Sequence, residues 1–142
     1  MQKTVSFVSR DTLLRVQKHM IALDSPDQSL ALKAENRLIR FGSKAVEPLF
    51  SALSHPNPAV RFRAVWVLGF SKDPRAFNAI CSLLEDEDER VRYDATIALG
   101  HYGDERAVPL LWKLVQNRDD LSLGSAARIA LLKFGIETPS EE

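Results

Sequence analysis

Two rows of side chains invite a chemical reading. Phe62, Trp66 and Phe70 stand at i, i+4 and i+8, and Tyr93, Ile97 and His101 repeat that spacing 31 residues later, with Arg63 and Asp94 each one position after the leading aromatic. Residues four apart on a helix share a face, so each triplet is a stripe of large, mostly aromatic surface. Aromatic and arginine side chains gathered in this way anchor binding partners. Reaction chemistry has less to stand on. His19, His55 and His101 lie too far apart for a helical metal pair, and no local spacing places a histidine near the single cysteine, Cys81. Neither G-x-S-x-G nor a glycine-rich phosphate loop occurs. The acidic run Glu85-Asp-Glu-Asp-Glu89 lacks the glycine and alternate spacing of a calcium loop, and reads instead as capping charge at a helix N-terminus. The expectation is a protein that binds rather than one that catalyses, with no cofactor and no metal.

The two rows belong to a longer duplication. ERVRYDATIALGHYGDERAVPLL, Glu89 to Leu111, has a variant upstream in AVRFRAVWVLGFSKDPRAFNAI, Ala59 to Ile80. Val60 aligns with Val91, Arg61 with Arg92, Ala64 with Ala95, Leu68 with Leu99, Asp73 with Asp104 and Ala76 with Ala107, each pair 31 apart. A period of this length marks one supersecondary unit used several times.

Helical spacing extends the unit in both directions. Ser9 or Asp11 can cap a helix carrying Leu13, Val16, Met20 and Leu23, which Asp24-Ser-Pro-Asp27 ends. A second helix runs from about Gln28 to Phe41 with Leu30, Ala34 and Leu38 inward and Gly42 available for positive φ. Ala45 to Ser54 and Pro58 to about Phe70 form the next pair, Pro74 to Leu84 and Glu89 to Tyr102 the third, Arg106 to Gln116 and Leu123 to Phe134 the last. Proline at Pro58 suits a first helical position, whose N–H has no helical partner. The extra residue in Arg118-Asp-Asp-Leu-Ser122 predicts an irregular first turn in the last helix. The whole chain, 1–142, reads as one all-α domain: an N-terminal segment 1–8 extended over the first helices, repeats 9–42, 43–72, 73–103 and 104–135, and a polar tail 136–142.

From Ser9 to Gly135 the chain resembles HEAT repeats, in the short bacterial form first known from phycobilisome lyases, whose second helix reads D-x-x-V-R-x-x-A-x-x-x-L-G. Asn57-Pro-Ala-Val60-Arg61-Phe-Arg-Ala64 with Leu68-Gly69 and Asp88-Glu-Arg-Val91-Arg92-Tyr-Asp-Ala95 with Leu99-Gly100 carry the likeness. It implies a right-handed alpha solenoid of four helix pairs, second helices on the concave face. It also implies a structural ladder in which Arg61 and Arg92 bond the preceding turn and the neighbouring repeat. Ala31 and Gly124 replace the arginine in the outer repeats, where the ladder would stop. On that fold Phe62, Arg63, Trp66, Phe70, Tyr93, Asp94, Ile97 and His101 line the groove, with Arg37 and Arg40 on its rim. Tight curvature would alternatively let the aromatics touch across adjacent helices and extend the core. Arg63 and Asp94 are placed to pair, worth only about 0 to 1 kcal/mol if exposed.

Composition limits the partner. A domain of 142 residues buries enough surface to fold without staples, about 70% of what its unfolded chain exposes. Nineteen basic residues balance nineteen acidic ones, which disfavours strong nucleic-acid binding, and no stretch approaches a membrane span. The leading expectation is a cytoplasmic, non-enzymatic scaffold that holds a helix or extended segment of another protein in its groove, with homo-oligomerisation open through the terminal repeats. The resemblance also implies an alternative, a subunit of a phycobilin lyase-like or tetrapyrrole-handling enzyme, with aromatics around the pigment and Arg37, Arg40 or Arg63 on its propionates. Base excision, as in HEAT-like DNA glycosylases, would need a basic groove.

Overall fold

The computed structural model describes residues 7–139, among which there are helices and connecting turns but no strand. Eight α-helices follow one another: α1 Arg10–Ala22, α2 Gln28–Phe41, α3 Val46–Ala52, α4 Pro58–Leu68, α5 Ala76–Ser82, α6 Glu89–Tyr102, α7 Ala107–Gln116 and α8 Leu121–Leu132. They pair in sequence, each first helix antiparallel to the second, as an α solenoid. Side-chain caps start α1 and all the second helices: Ser9, Asp27, Asn57, Asp88 and Asp120 each accept from a backbone N–H two or three residues ahead. Each such cap is worth about 1 kcal/mol.

Several boundaries differ from the sequence reading. A 3₁₀ turn, Gly42–Ala45, precedes α3, and α5 begins only at Ala76 and passes into a second 3₁₀ turn, Leu83–Glu85. The last helix starts regularly at Leu121, because Asp120 takes the cap position and bonds the Leu123 N–H at 2.9 Å. In α2 the inward residues are Ala31, Ala34 and Leu38, while Leu30 is 50% exposed. Ala31, Ala34 and Leu38 share one face at helical spacing, and Leu30 lies about 100° away from Ala31 around the helix. The expectation for residues 1–8 falls mostly outside the described residues, although Phe7 stands in solvent. Residues 136–139 are held to the fold: Ile136 packs against the core, and Arg128 Nη1 donates to Thr138 Oγ1 and the Pro139 carbonyl.

Stacking is closest between second helices. α4 packs extensively on α6 and α6 on α8, whereas first helices meet one another far less. A Cβ built on Gly69 would stand 3.0 Å from Ala98 Cα, and one on Gly100 2.9 Å from Ala130 Cα. These approaches leave room for glycine alone. Between α2 and α4 bulkier Ile39 and Val67 line a small gap, and the packing is looser. The layer whose members lie closer together forms the inside of the bend, so the second helices make the concave side.

Polar ties fix the register of the stack. Arg61 is buried; its Nε and Nη2 each donate to one oxygen of Asp86 at 3.0 Å, and Nη1 donates to the carbonyls of His55 and Pro56 at 2.8 and 3.2 Å. Arg92 repeats the pattern more loosely, with Nη1 on the Asp86 and Glu87 carbonyls and Nη2 3.7 Å from Asp120. At the first junction, where α2 has Ala31, Asn57 Nδ2 donates to Asp24 at 2.6 Å. A second device is a D-x-R turn. Asp73, Asp88 and Asp104 each accept from the backbone and guanidinium of Arg75, Arg90 and Arg106. These guanidinium groups lie over Phe50, Phe62 and Phe77 of the preceding repeat, 4.1 to 5.4 Å from the ring centroids.

Two comparisons test this packing. Gly100→Ala should lower stability by about 1 kcal/mol or more, overpacking against Ala130 outweighing the helix propensity gained, whereas Gly124→Ala, whose Cβ meets only ordinary contacts beyond 3.4 Å, should hold or raise it. Urea midpoints that rank the two the other way would show the seam to be loose. Arg61→Met leaves Asp86 buried without its partner and should cost about 3–5 kcal/mol; Arg92→Met, at a half-exposed and longer contact, should cost about 1. Equal losses in the same unfolding assay would contradict a graded ladder.

Candidate binding site

Helical phase in α4 and α6 decides which side chains reach the concave side. Val60, Arg61, Ala64, Val65, Val67 and Leu68 of α4 and Val91, Ala95, Thr96, Ala98 and Leu99 of α6 are buried, which leaves the residues between them to face the groove. Phe62, Arg63, Trp66, Tyr93, Asp94, Ile97 and His101 are half-buried there, and Phe70 is 40% exposed.

The close seam between α4 and α6 brings the two rows into contact at one end. Trp66 meets Phe70 and His101 edge-on, with centroids 5.4 and 5.1 Å apart, and Phe70 stacks on His101 at 4.8 Å. Burial, with a smaller push from Lys133, holds the His101 imidazole below its ordinary pKa. Phe62 and Trp66 also pack against the core. The inner edges of the aromatics extend the core, and their outer edges remain exposed.

At the other end lies a cavity of roughly 380 Å³ lined by Phe62, Glu89, Arg90, Tyr93, Asp94 and Ser122. Sequence reasoning had not placed Glu89, Arg90 or Ser122 here. The signal for Arg90 is its D-x-R turn, which holds it over the Phe62 ring at 5.4 Å.

Arg63 and Asp94 do not pair. Arg63 Nη1 turns back to donate to the carbonyls of Leu23 and Ser25, beyond the end of α1, and its Nε lies 3.7 Å from Glu35. The carbonyls at a helix C-terminus carry partial negative charge, which draws the guanidinium away from α6. Glu35 could have been found from register, since it occupies the position held by the buried Val65 and Thr96 in the next two repeats. Burial raises its pKa, Arg63 partly offsets this, and Asp94 adds to it. Asp94 itself has no hydrogen-bond or ion-pair partner among the described residues, and burial pushes its pKa up to about 6. Arg37 and Arg40 do not join the cavity. Both are exposed on α2, Arg37 near enough to His19 to help lower that imidazole's pKa, after burial and Lys18.

With this geometry in hand, the likenesses to known proteins agree on architecture. The family model for HEAT repeats matches residues 17–81 and 46–132. Human deoxyhypusine hydroxylase superposes with a TM-score of 0.67 at 20% identity, over 92% of this chain and 49% of that one, so the chain spans about half of its length. In the complex of CpcE and CpcF, the phycocyanin lyase from Nostoc sp. PCC7120, a chain superposes with a TM-score of 0.75 at 20% identity, over 87% of this chain and 79% of that one. Curated protein sequences yield no match. At 20% identity the two structures speak for the fold alone.

Asp94 offers a direct check on the groove's electrostatics. Its folded pKa lies above the ordinary 3.8, so ionisation penalises the fold; the penalty is absent below about pH 4, grows towards pH 6 and is complete above it. Asp94→Asn should therefore raise the melting midpoint at pH 8, and the gain should shrink as pH falls from 6 to 4. A gain that is flat with pH, or a loss at pH 8, would mean that the carboxylate is solvated or paired.

Proposed function

The chain belongs to the HEAT-repeat family, and on that premise we propose that it is a non-enzymatic binding module whose second-helix layer holds a segment of another protein. The observation that carries this reading is the pair of adjoining rows Phe62–Trp66–Phe70 and Tyr93–Ile97–His101, large side chains that stay partly exposed on the concave side, Phe70 most of all, where polar residues would cost nothing. Exposed apolar surface set in a concave face favours a partner that removes it from water. The segment is a helix or an extended strand of about the length of the groove, and the outer residues Arg37 and Arg40 meet it at the rim.

A bound tetrapyrrole is the less supported reading. Arg63, one of the side chains that would hold its propionates, is engaged by Leu23, Ser25 and Glu35, and the cavity beside the aromatics carries the carboxylates of Glu89 and Asp94, which repel an anion. No described group of three or more His, Cys, Asp or Glu side chains is arranged to hold a metal ion. No described helix is long and apolar enough to cross a membrane.

Phe70 is the better probe of the site than Trp66, because its ring is the more exposed and Trp66 is anchored in the core. Affinity purification from source extracts should recover a partner with the wild-type chain and at least tenfold less of it with Phe70→Ala, at unchanged helical content by circular dichroism. Equal recovery by both would remove the groove from consideration, and visible absorbance in the purified wild type would move the case towards a pigment.

A further inference from the structure

The charge of Asp94, half-buried on the concave side, has no answer within the described residues. The Asp94 carboxylate accepts no hydrogen bond and meets no cation there, and it opens on the cavity between α4 and α6. The cations nearby are engaged elsewhere. Arg90 is held by Asp88, with Nη2–Oδ2 3.0 Å, and lies over Phe62; Arg63 is held by two carbonyls and Glu35; Arg61 and Arg92 belong to the inter-repeat ladder. An unpaired carboxylate in a partly desolvated place is costly to keep.

From this cavity we infer that the groove takes a protonated side chain, the ammonium of a lysine or the guanidinium of an arginine, with Asp94 as its counter-ion and Tyr93 and Phe62 as its walls. The inference rests on the reading that the second-helix layer holds a protein segment, and it specifies that segment's chemistry. An anionic group would face Glu89 and Asp94, and an uncharged apolar group would seal Asp94 away from water without a partner. A cation gains the carboxylate and the neighbouring Tyr93 ring, since Phe62 already carries Arg63 and Arg90. The volume, roughly 380 Å³, accommodates the end of one long side chain together with water. The seat is selective for basic residues because the groove's own basic residues have been tied down by the turns and ladder that build the stack.

The charged groups around Asp94 can be named. α6 contributes Glu89 and Arg90, α4 contributes Arg63 nearby, α2 contributes Glu35, and α8 contributes the neutral Ser122, while α5 and α7 supply none of the cavity lining. Occupancy by a cation should follow the ionisation of Asp94, strengthening as pH rises through about 6.

The test uses n-butylammonium and n-butylguanidinium as probes, titrated into the isotopically labelled chain and read from the chemical shifts of the Asp94 carboxyl and the Tyr93 ring, with n-pentanol as the uncharged control. The expected result is saturable shifts at pH 7.5 from both cations and none from the alcohol, with affinity falling at least fivefold at pH 5 and at least tenfold in Asp94→Asn. The alcohol binding as well as the cations, or Asp94→Asn binding within twofold of wild type, would overturn the inference. Because Asp94→Asn relieves a buried charge, the variant stays folded, and circular dichroism records this alongside. The two readings fail separately: loss of cation binding in the presence of intact, Phe70-dependent partner capture removes only the cation seat, whereas partner capture indifferent to Phe70 removes the groove reading and leaves the small-molecule titration to stand by itself.

Discussion

Backbones of successive second helices approach one another to within the width of a glycine, at Gly69 against Ala98 and at Gly100 against Ala130. That approach sets the spacing of α4, α6 and α8. First helices keep larger separations because each meets chiefly its own partner, and unequal spacing of two layers is what bends a solenoid. Curvature then decides what the intervening side chains can do. With α4 and α6 this close, Trp66 and Phe70 reach His101 from the adjoining helix, and the Phe62 and Tyr93 positions enclose a cavity instead of projecting separately into solvent.

Close packing of small residues is weakly directional, and the polar ties supply the register it lacks. Arg61 satisfies two oxygens of Asp86 and two carbonyls of its own turn from one planar group, a geometry that a lysine could not reproduce. Desolvating such a pair offsets much of its attraction, so its value lies in the arrangement it enforces more than in net stability. The ties weaken towards both ends. Arg92 reaches Asp120 only at 3.7 Å, and at the first junction an Asn57–Asp24 bond stands where α2 offers Ala31. Outer repeats correspondingly leave apolar side chains in solvent, Leu13, Leu14, Ile21, Leu30 and Leu32 at one end and Leu121, Ile129 and Leu132 at the other.

The groove departs from the economy of the rest of the chain. No fully buried side-chain polar atom lacks a partner among the described residues, and the half-buried Arg63 and Glu35 beside the groove face each other at 3.7 Å. Asp94 is the exception in kind, a half-buried carboxylate whose ionised form the fold disfavours. Binding surfaces commonly keep groups that a purely structural surface would have replaced, since a partner supplies the missing interaction only when it is present.

Much of this was legible in the sequence. The 31-residue period, the helical spacing of the apolar residues, the capping charge before α6 and Gly42 after α2 state a run of paired helices, because each cap and spacing depends on local chemistry: a cap acts within three residues, and helical periodicity within four. The rows Phe62–Trp66–Phe70 and Tyr93–Ile97–His101 were visible for the same reason. Only the tertiary structure decided what each charged group faces. Arg63 and Asp94 look like partners in register, yet the carbonyls after α1, forty residues earlier, claim the arginine and leave the aspartate alone. Glu89, Arg90 and Ser122 meet at one cavity although they come from two helices, and Arg37 and Arg40 stay outside it. A long side chain chooses among all the acceptors within its reach, and that set is fixed by the distance and rotation between helices, which no spacing along the chain contains.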